Sequence, residues 1–555
     1  MENVEPMGLG RVSRRVSTPP TGTAQAVESL GFEGALAAPP TYDPPPESWV
    51  AAVTAGKAVS GPRSRSGFVI VGCSRSGTTS LCNILDQATN GICVQEPEPN
   101  LNVETRMATD GRYPWAGEVI DQTVAARAHA VWERGLVYGE KNVTLGPFVP
   151  QLAKLGFRIV VTKRDGREVV QSLINWHDRL FGNIYRECAD SGELSARARA
   201  AIENLPAGED RSDYSRPRPV AGDPFHERWS SFSRLEMCAW YWAHICNRLM
   251  DAVGKLPASR WRVIDYSRVD AAEIGEIAAF LGLEGLDPDT VRGMLAERIN
   301  SLRHRTGEAV PIRSWTDWTD DERARFECIA ASTMMRLGYY DAETHVRFKP
   351  ACYGEWWRGR AADVDWYTWM YESRRDAHED LLAFVRRLKA AGETVDSILD
   401  VGCGCGVGYR EAFADRRYVG MDLSEKTISW CRDQQSGRQS FISGDIILDQ
   451  PEEKFDLVFS QGTIDNSYDV NAYLRAMVRV SRGWVYLTAY RGWFPELDEH
   501  RYLWDRATTC FYNDVSPIEV ERVLRRMGCT QVSVEPLAMG GDALETRIIA
   551  RAPGA

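Results

Sequence analysis

Two places in the chain combine a short, wholly apolar run, a glycine-rich turn and helical spacing, and these two places limit the fold more than anything else in the sequence. The first is Gly67-Phe68-Val69-Ile70-Val71-Gly72, which runs on through GCSRSGTTSL into a helical pattern from Thr78 to Gln87. The second is Ser397-Ile398-Leu399-Asp400-Val401-Gly402, which opens LDVGCGCGVG. A strand that is apolar on both faces must be covered on both, and alternation with helices supplies that cover. A single core stops growing well below 555 residues. The fold class expected is therefore α/β with two domains, each a mostly parallel sheet with flanking helices.

A further strand, Phe157 to Thr162, runs into Arg164-Asp165-Gly166-Arg167 and a helix reaching about Trp176, and belongs to the first sheet. Helical periodicity returns from Arg234 to Val253, while Glu187 to Glu227 is a polar insertion with the composition of an excursion or lid. Residues 1–62, rich in Pro, Ala, Ser and Thr, read as a disordered arm. The domains expected are 63–347 and 393–555, joined by an aromatic-rich helical connector over 348–392. Its Trp356, Trp357, Trp366, Tyr367, Trp369, Met370 and Tyr371 suggest core or interdomain packing in preference to a ligand cage.

Composition removes several function classes. No run approaches the roughly 20 apolar residues of a membrane span, and no signal-peptide pattern precedes Pro62. The 13 cysteines are scattered, without paired CxxC motifs, which suggests reduced thiols, no metal site and a cytoplasmic location. A formal net charge of -11 argues against a nucleic-acid partner, whose phosphates Lys and Arg would have to neutralise. The sequence sets no oligomeric state.

In the first glycine turn, backbone amides and the Ser76, Thr78 and Thr79 hydroxyls can converge on an anion at a helix N-terminus. Gly72 and Gly77 have the spacing of a nucleoside-triphosphatase loop, but Thr78 stands where that loop has lysine, and the cation, Arg75, comes earlier. The run Arg75-Ser76-Gly77-Thr78-Thr79 resembles the phosphosulfate loop of sulfotransferases. KRDGREVVQS resembles that family's second nucleotide motif, in which Arg164 and Ser172 would hold a 3′-phosphate. The likeness is nearest to tyrosylprotein and bacterial glycan sulfotransferases and implies a P-loop sulfotransferase fold using 3′-phosphoadenosine 5′-phosphosulfate. It further implies Glu96 as catalytic base, with Glu98 in reserve, and Lys141 with Arg75 neutralising charge on the leaving nucleotide. Trp261 to Glu284 resembles the family's late strand and helix, and His304 to Gly307 the loop over the 3′-phosphate, with Arg305 as its cation.

In the second turn, Gly402, Gly404 and Gly406 make GxGxG, and a dinucleotide fingerprint would place its last glycine where Val407 stands. Asp422 ends the next predicted strand, Asp445 follows a third, and FDLVFSQG supplies a fourth. This order resembles class I S-adenosyl-L-methionine-dependent methyltransferases, with a Rossmann-like fold. The resemblance implies cofactor binding by Asp400, Gly402, Gly404 and Gly406, ribose recognition by Asp422, and Asp445 with Ile446 beside adenine. It departs at Asn466, where many relatives carry His. Asp465 is read equally as a base or a helix cap, and His500 is a further base candidate.

Together these expectations describe a bifunctional tailoring enzyme that sulfates and methylates a small-molecule or glycan acceptor. Two alternatives stand beside it: a methyltransferase carrying a degenerate sulfotransferase-fold binding module, and a P-loop kinase fused to a methyltransferase.

Overall fold

In the computed structural model, residues 39–58, 66–99, 101–109, 111, 113–176, 217–297, 312–359 and 363–554 are described. The chain divides into two compact units: one of residues up to Trp318 plus Ile329–Asp341, the other of Thr319–Cys328 and Ala342–Ala555. Both are mixed α/β, with parallel sheets and flanking helices.

In the first unit, β1 (Gly67–Gly72) is buried throughout and lies at the centre of its sheet. Its neighbours are β3 (Val137–Lys141) and β4 (Arg158–Lys163), with β2 (Gly91–Gln95) and β5 (Trp261–Asp265) outside, giving the all-parallel order β2-β3-β1-β4-β5. The register sets Ile70 beside Lys141 and Gly72 beside Thr162. Helix α1 (Thr78–Leu85) leaves the glycine turn, α2 (Gly166–Trp176) leaves the RDGR turn, and α3 (Arg234–Gly254) spans the expected periodic stretch. The α3 start is fixed by a capping box: Ser233 accepts the Glu236 amide and Glu236 returns to the Ser233 amide.

Part of the expected disordered arm is ordered. Helix Glu47–Thr54 buries Trp49 and Val50, and Tyr42 donates to Glu104 at 2.6 Å. The apolar pair in a proline-rich segment anchors to a core that the local composition does not reveal. Of the polar insertion Glu187–Glu227, residues 187–216 lie outside the described residues, and 217–227 form turns and irregular chain.

The second unit has a sheet of order β13-β14-β10-β9-β6-β7-β8. Its parallel part comprises β6 (Ser397–Val401), β7 (Arg417–Asp422), β8 (Gln439–Ser443), β9 (Phe455–Gln461) and β10 (Ser481–Ala489). An antiparallel pair closes one edge, β13 (Thr530–Ala538) on β14 (Leu544–Arg551), and the short hairpin β11 (Trp504–Asp505) and β12 (Cys510–Phe511) stands apart. Strand order reverses at β6, whose neighbours β7 and β9 are reached in opposite directions, so a crevice opens at their carboxyl ends. The aromatic stretch is part of this unit, in a short helix Glu355–Gly359 followed by α4 (Val364–Ser373) and α5 (Arg375–Ala390), and is not a separate connector.

Among the described residues, no helix is long and apolar enough to cross a membrane. An ion pair lies in the interior of the first unit: Arg127 meets Glu140 of β3 at 3.0 Å, and the Tyr138 hydroxyl donates to the same carboxylate at 2.6 Å. Removing one member strands a charge out of water, which costs about 3–5 kcal/mol. Glu140→Ala should destabilise the first unit by about that amount, and Arg127→Met in the same chain should restore most of it. Hydrogen exchange of the β3 amides in urea reads both changes.

Candidate functional sites

The first site gathers at the carboxyl ends of β1, β3 and β4. Gly77, with φ 92°, turns the chain from β1 into α1, and a side chain there would run into the Tyr266 ring 2.1 Å away. No side chain caps α1, so its first amides remain available to an anion. Ser76 is buried and linked to Thr162 at 2.7 Å; Thr78 is buried and Thr79 half-buried. Arg75 has φ 71°, a left-handed conformation unusual outside glycine, and its Nε donates to Ser172 Oγ on α2 at 3.1 Å. Arg164 donates to the Arg75 carbonyl at 3.2 Å and to Glu168 at 2.7 Å. The residues expected to meet from two distant motifs are therefore in contact.

Lys141, nearly buried at the end of β3, forms an ion pair with Glu96, which follows β2 and takes φ 43°. The Glu96 amide donates to the Lys141 carbonyl at 2.8 Å, fixing their backbones side by side. Two of the five described non-glycine residues with positive φ are thus Arg75 and Glu96, and such strain persists where surrounding structure enforces it. Glu98 is exposed. Arg305 lies outside the described residues.

The second site is a cavity at the carboxyl ends of β6, β7 and β9, with Asp400, Gly402, Asp422, Asp445 and Ile446 in its wall. Gly404, at φ 50°, gives its amide to Asp422 Oδ2 at 3.1 Å, while Ser424 donates to Oδ1 at 2.9 Å. A side chain at Gly404 would strike the Tyr367 ring 2.3 Å away, so α4 lies directly on the loop that also holds Gly406. Asp445 accepts Lys349 at 2.7 Å and the Ile447 amide at 3.0 Å.

Burial pushes Asp400 up to about 7; the Tyr418 hydroxyl bound at 2.6 Å works in the opposite direction. Burial likewise raises Asp422 above the usual carboxylate range, against the pull of its backbone donors.

The structure corrects three expectations. Asp465 is wholly buried, accepts the Tyr490 and Arg491 amides at 3.0 Å each, and does not line the cavity. It also caps no helix: Asp469 accepts the Ala472 amide at the start of α6 (Val470–Arg479). His500 is also buried away from the cavity, accepting the Ser516 amide at Nδ1 and facing Asn471 at 3.1 Å. Both polar groups are consumed by loop fastening, which their sequence neighbours do not disclose. Finally, the aromatic stripe does contribute to a site, for Trp357, Tyr367, Met370 and Tyr371 line the cavity.

Sequence reasoning also missed Arg374, His378, Tyr409 and Gln461 in the cavity wall. Arg374 is held by Glu545 through two bonds, at 2.9 and 2.5 Å. The spacing of Arg374 and His378, four residues apart at the start of an amphipathic helix, is the only local signal they offer.

Residues 399–487 match the family profile described as a methyltransferase domain. None of the curated proteins compared with the chain matches it. Similar solved structures include a Burkholderia thailandensis 1,6-didemethyltoxoflavin-N1-methyltransferase with S-adenosylhomocysteine, 16% identical, covering 36% of this chain and 88% of that one at TM-score 0.29. Magnesium protoporphyrin IX methyltransferase from Synechocystis PCC 6803 is 14% identical, with coverage of 35% and 95% at TM-score 0.27. The N-methyltransferase NodS from Bradyrhizobium japonicum WM9 is 17% identical, with coverage of 32% and 88% at TM-score 0.24.

The buried carboxyls predict a pH dependence of stability. Asp400 and Asp465, both pushed up to about 7 by burial, stay protonated in the fold where the unfolded chain ionises at about 3.9. The folded state then binds more protons, so their contribution is full below about 4 and is lost as pH rises toward 7, at up to about 1.4 kcal/mol per pH unit for each. Asp400→Asn should flatten this slope, measured as the difference in unfolding midpoint between variant and parent from pH 4 to 8.

Proposed function

We propose that the second unit transfers the methyl group of S-adenosyl-L-methionine to a small-molecule or glycan acceptor. The observation that carries this reading is Asp422 at the end of β7, locked to the glycine loop by the Gly404 amide. The Gly404 amide meets one of its oxygens and the Ser424 amide the other, and the carboxylate keeps acceptor capacity that suits ribose hydroxyls. The methyltransferase-domain match spans the glycine loop, Asp422, Asp445 and β9, and supports the same reading.

The residues present fit that cofactor. The glycine loop and Asp400 would face its methionine portion, Asp422 its ribose, and Ile446 with Asp445 its adenine. Lys349 must yield or rotate for the Asp445 carboxylate to take a new partner. Bound there, the sulfonium supplies an electrophilic methyl group, while Tyr353, Trp357, Tyr367 and Tyr371 exclude water and orient the acceptor.

The first unit has a second reading, favoured by the Arg75–Ser172 contact. With Arg164 fastened to the same loop, these residues form a cradle suited to the 3′-phosphate of 3′-phosphoadenosine 5′-phosphosulfate. Glu96 would accept the acceptor's proton, and Lys141 with Arg75 would offset charge on the departing nucleotide. Methyl transfer does not depend on this chemistry. If the sulfuryl donor does not bind, the unit serves as a substrate-holding module of the methyltransferase.

Calorimetry on the full chain tests both sites. Asp422→Ala should weaken S-adenosylhomocysteine binding about tenfold or more, from the loss of charge-assisted hydrogen bonds, and unchanged affinity would refute the ribose assignment. In the first unit, 3′-phosphoadenosine 5′-phosphate should bind far more tightly than AMP, and Arg164→Ala should erase the difference. Equal affinities in the parent protein would leave the sulfuryl reading without support.

A further inference from the structure

The cavity holds a histidine whose tautomer is set by a chain of hydrogen bonds ending on the backbone. The Gln461 amide nitrogen donates to the Ala377 carbonyl at 2.9 Å, which turns Gln461 Oε1 toward Tyr409. The Tyr409 hydroxyl donates to that oxygen at 2.6 Å, so its only hydrogen is spent. The close contact between Tyr409 Oη and His378 Nδ1 must then use a hydrogen carried by Nδ1. His378 Nε2 is left as a bare lone pair.

Packing fixes the ring as firmly as the hydrogen bonds do. Tyr371 stacks on one face of the imidazole at 4.0 Å and 20°, and Tyr409 meets it edge-on at 5.1 Å. His378 is only 7% exposed yet lines the cavity, and among the described residues Nε2 has no hydrogen-bond partner. Nε2 is not among the wholly buried polar atoms of the described residues, so this partnerless nitrogen, in the wall that also carries the end of β9, keeps surface through which a cavity ligand can reach it.

We propose that His378 Nε2 takes the proton from an oxygen nucleophile of the acceptor during methyl transfer. This rests on the methyl-transfer reading above and adds the base and the acceptor atom. In the step, an oxygen lone pair forms the new O–C bond while the S–C bond breaks and its electron pair leaves with sulfur. The O–H pair stays on oxygen, and the proton moves to Nε2, giving imidazolium, which later loses it to solvent.

The character of the base selects oxygen over nitrogen. Burial first, and Arg374 second, lower the His378 imidazole to about 3. A hydroxyl in the act of being alkylated is strongly acidic and surrenders its proton even to so weak a base. An alkylated amine holds its proton much more tightly than this imidazole can, so a nitrogen acceptor would gain nothing from His378.

The test has a chemical arm and a kinetic arm, both on the full chain. Diethyl pyrocarbonate attacks unprotonated, accessible imidazole nitrogen, and at pH 5 exposed histidines are largely protonated. Peptide mass mapping should find His378 carbethoxylated at pH 5, and an unmodified His378 in the folded protein overturns the proposal without any acceptor being known. In the kinetic arm, S-adenosylmethionine is supplied with catechol, 2-aminophenol or 1,2-phenylenediamine as probes. Methyl groups should appear on oxygen, and His378→Gln should cut that rate about 10²-fold or more while S-adenosylhomocysteine affinity stays within about twofold. Methylation at nitrogen, or a fully active His378→Gln, overturns it. If none of the probes is methylated, the carbethoxylation result decides. Failure of the parent protein to bind S-adenosylhomocysteine would refute the donor reading instead, a distinguishable outcome.

Discussion

Parallel pairing forces each strand to return through a crossover to the same starting edge, so the carboxyl ends of all strands collect on one side of a sheet. Everything of chemical interest in both units depends on that constraint. In the first unit it brings Arg75, Glu96, Lys141 and Arg164 together from four separate turns, although they span ninety positions of sequence, 75 to 164. In the second it gathers the ends of β6, β7 and β9 around one cavity. The glycine turns are the places where the backbone leaves the sheet sharply enough for its amides, not its side chains, to face that edge.

The charges in the second cavity are arranged with little left over. Lys349 answers Asp445, Glu545 answers Arg374, and Asp400 is kept near neutrality by burial with a tyrosine donor. Asp422 is the exception, held by the backbone amides of Gly404 and Ser424. A cationic guest would therefore find one carboxylate not already matched by a side-chain cation, set among aromatic rings whose faces favour positive charge.

The parts of this architecture legible in sequence were those encoded locally. Strands β1, β4 and β6, the two glycine turns and helix α3 all lie where apolar runs, turn residues and helical spacing suggest. Asp422 and Asp445 were legible because the first ends a strand and the second follows one closely. The hidden parts depend on partners far along the chain. Trp49 and Val50 join a core formed by later residues; Asp465 is committed to amides 25 and 26 positions downstream. His378 becomes notable only because Tyr409 and Gln461, 31 and 83 positions away in sequence, complete its hydrogen-bond chain. Aromatic residues at helical spacing look alike whether they face a core or a cavity, so the stripe in α4 carried no sign of which it did.

The buried pair Arg127–Glu140 has a bearing on strand alignment as well. Side chains alternate along β3, so Glu140 enters the interior while Lys141 turns toward Glu96. Sliding β3 by one residue would exchange the two, leaving Arg127 facing an ammonium group in a region without water. That misalignment would set two like charges against each other where neither can be hydrated, a heavier penalty than misplacing an apolar residue. The pair therefore acts as a ratchet tooth: it allows β3 a single seating against β1, and that seating is the one that delivers Lys141 to the edge of the sheet.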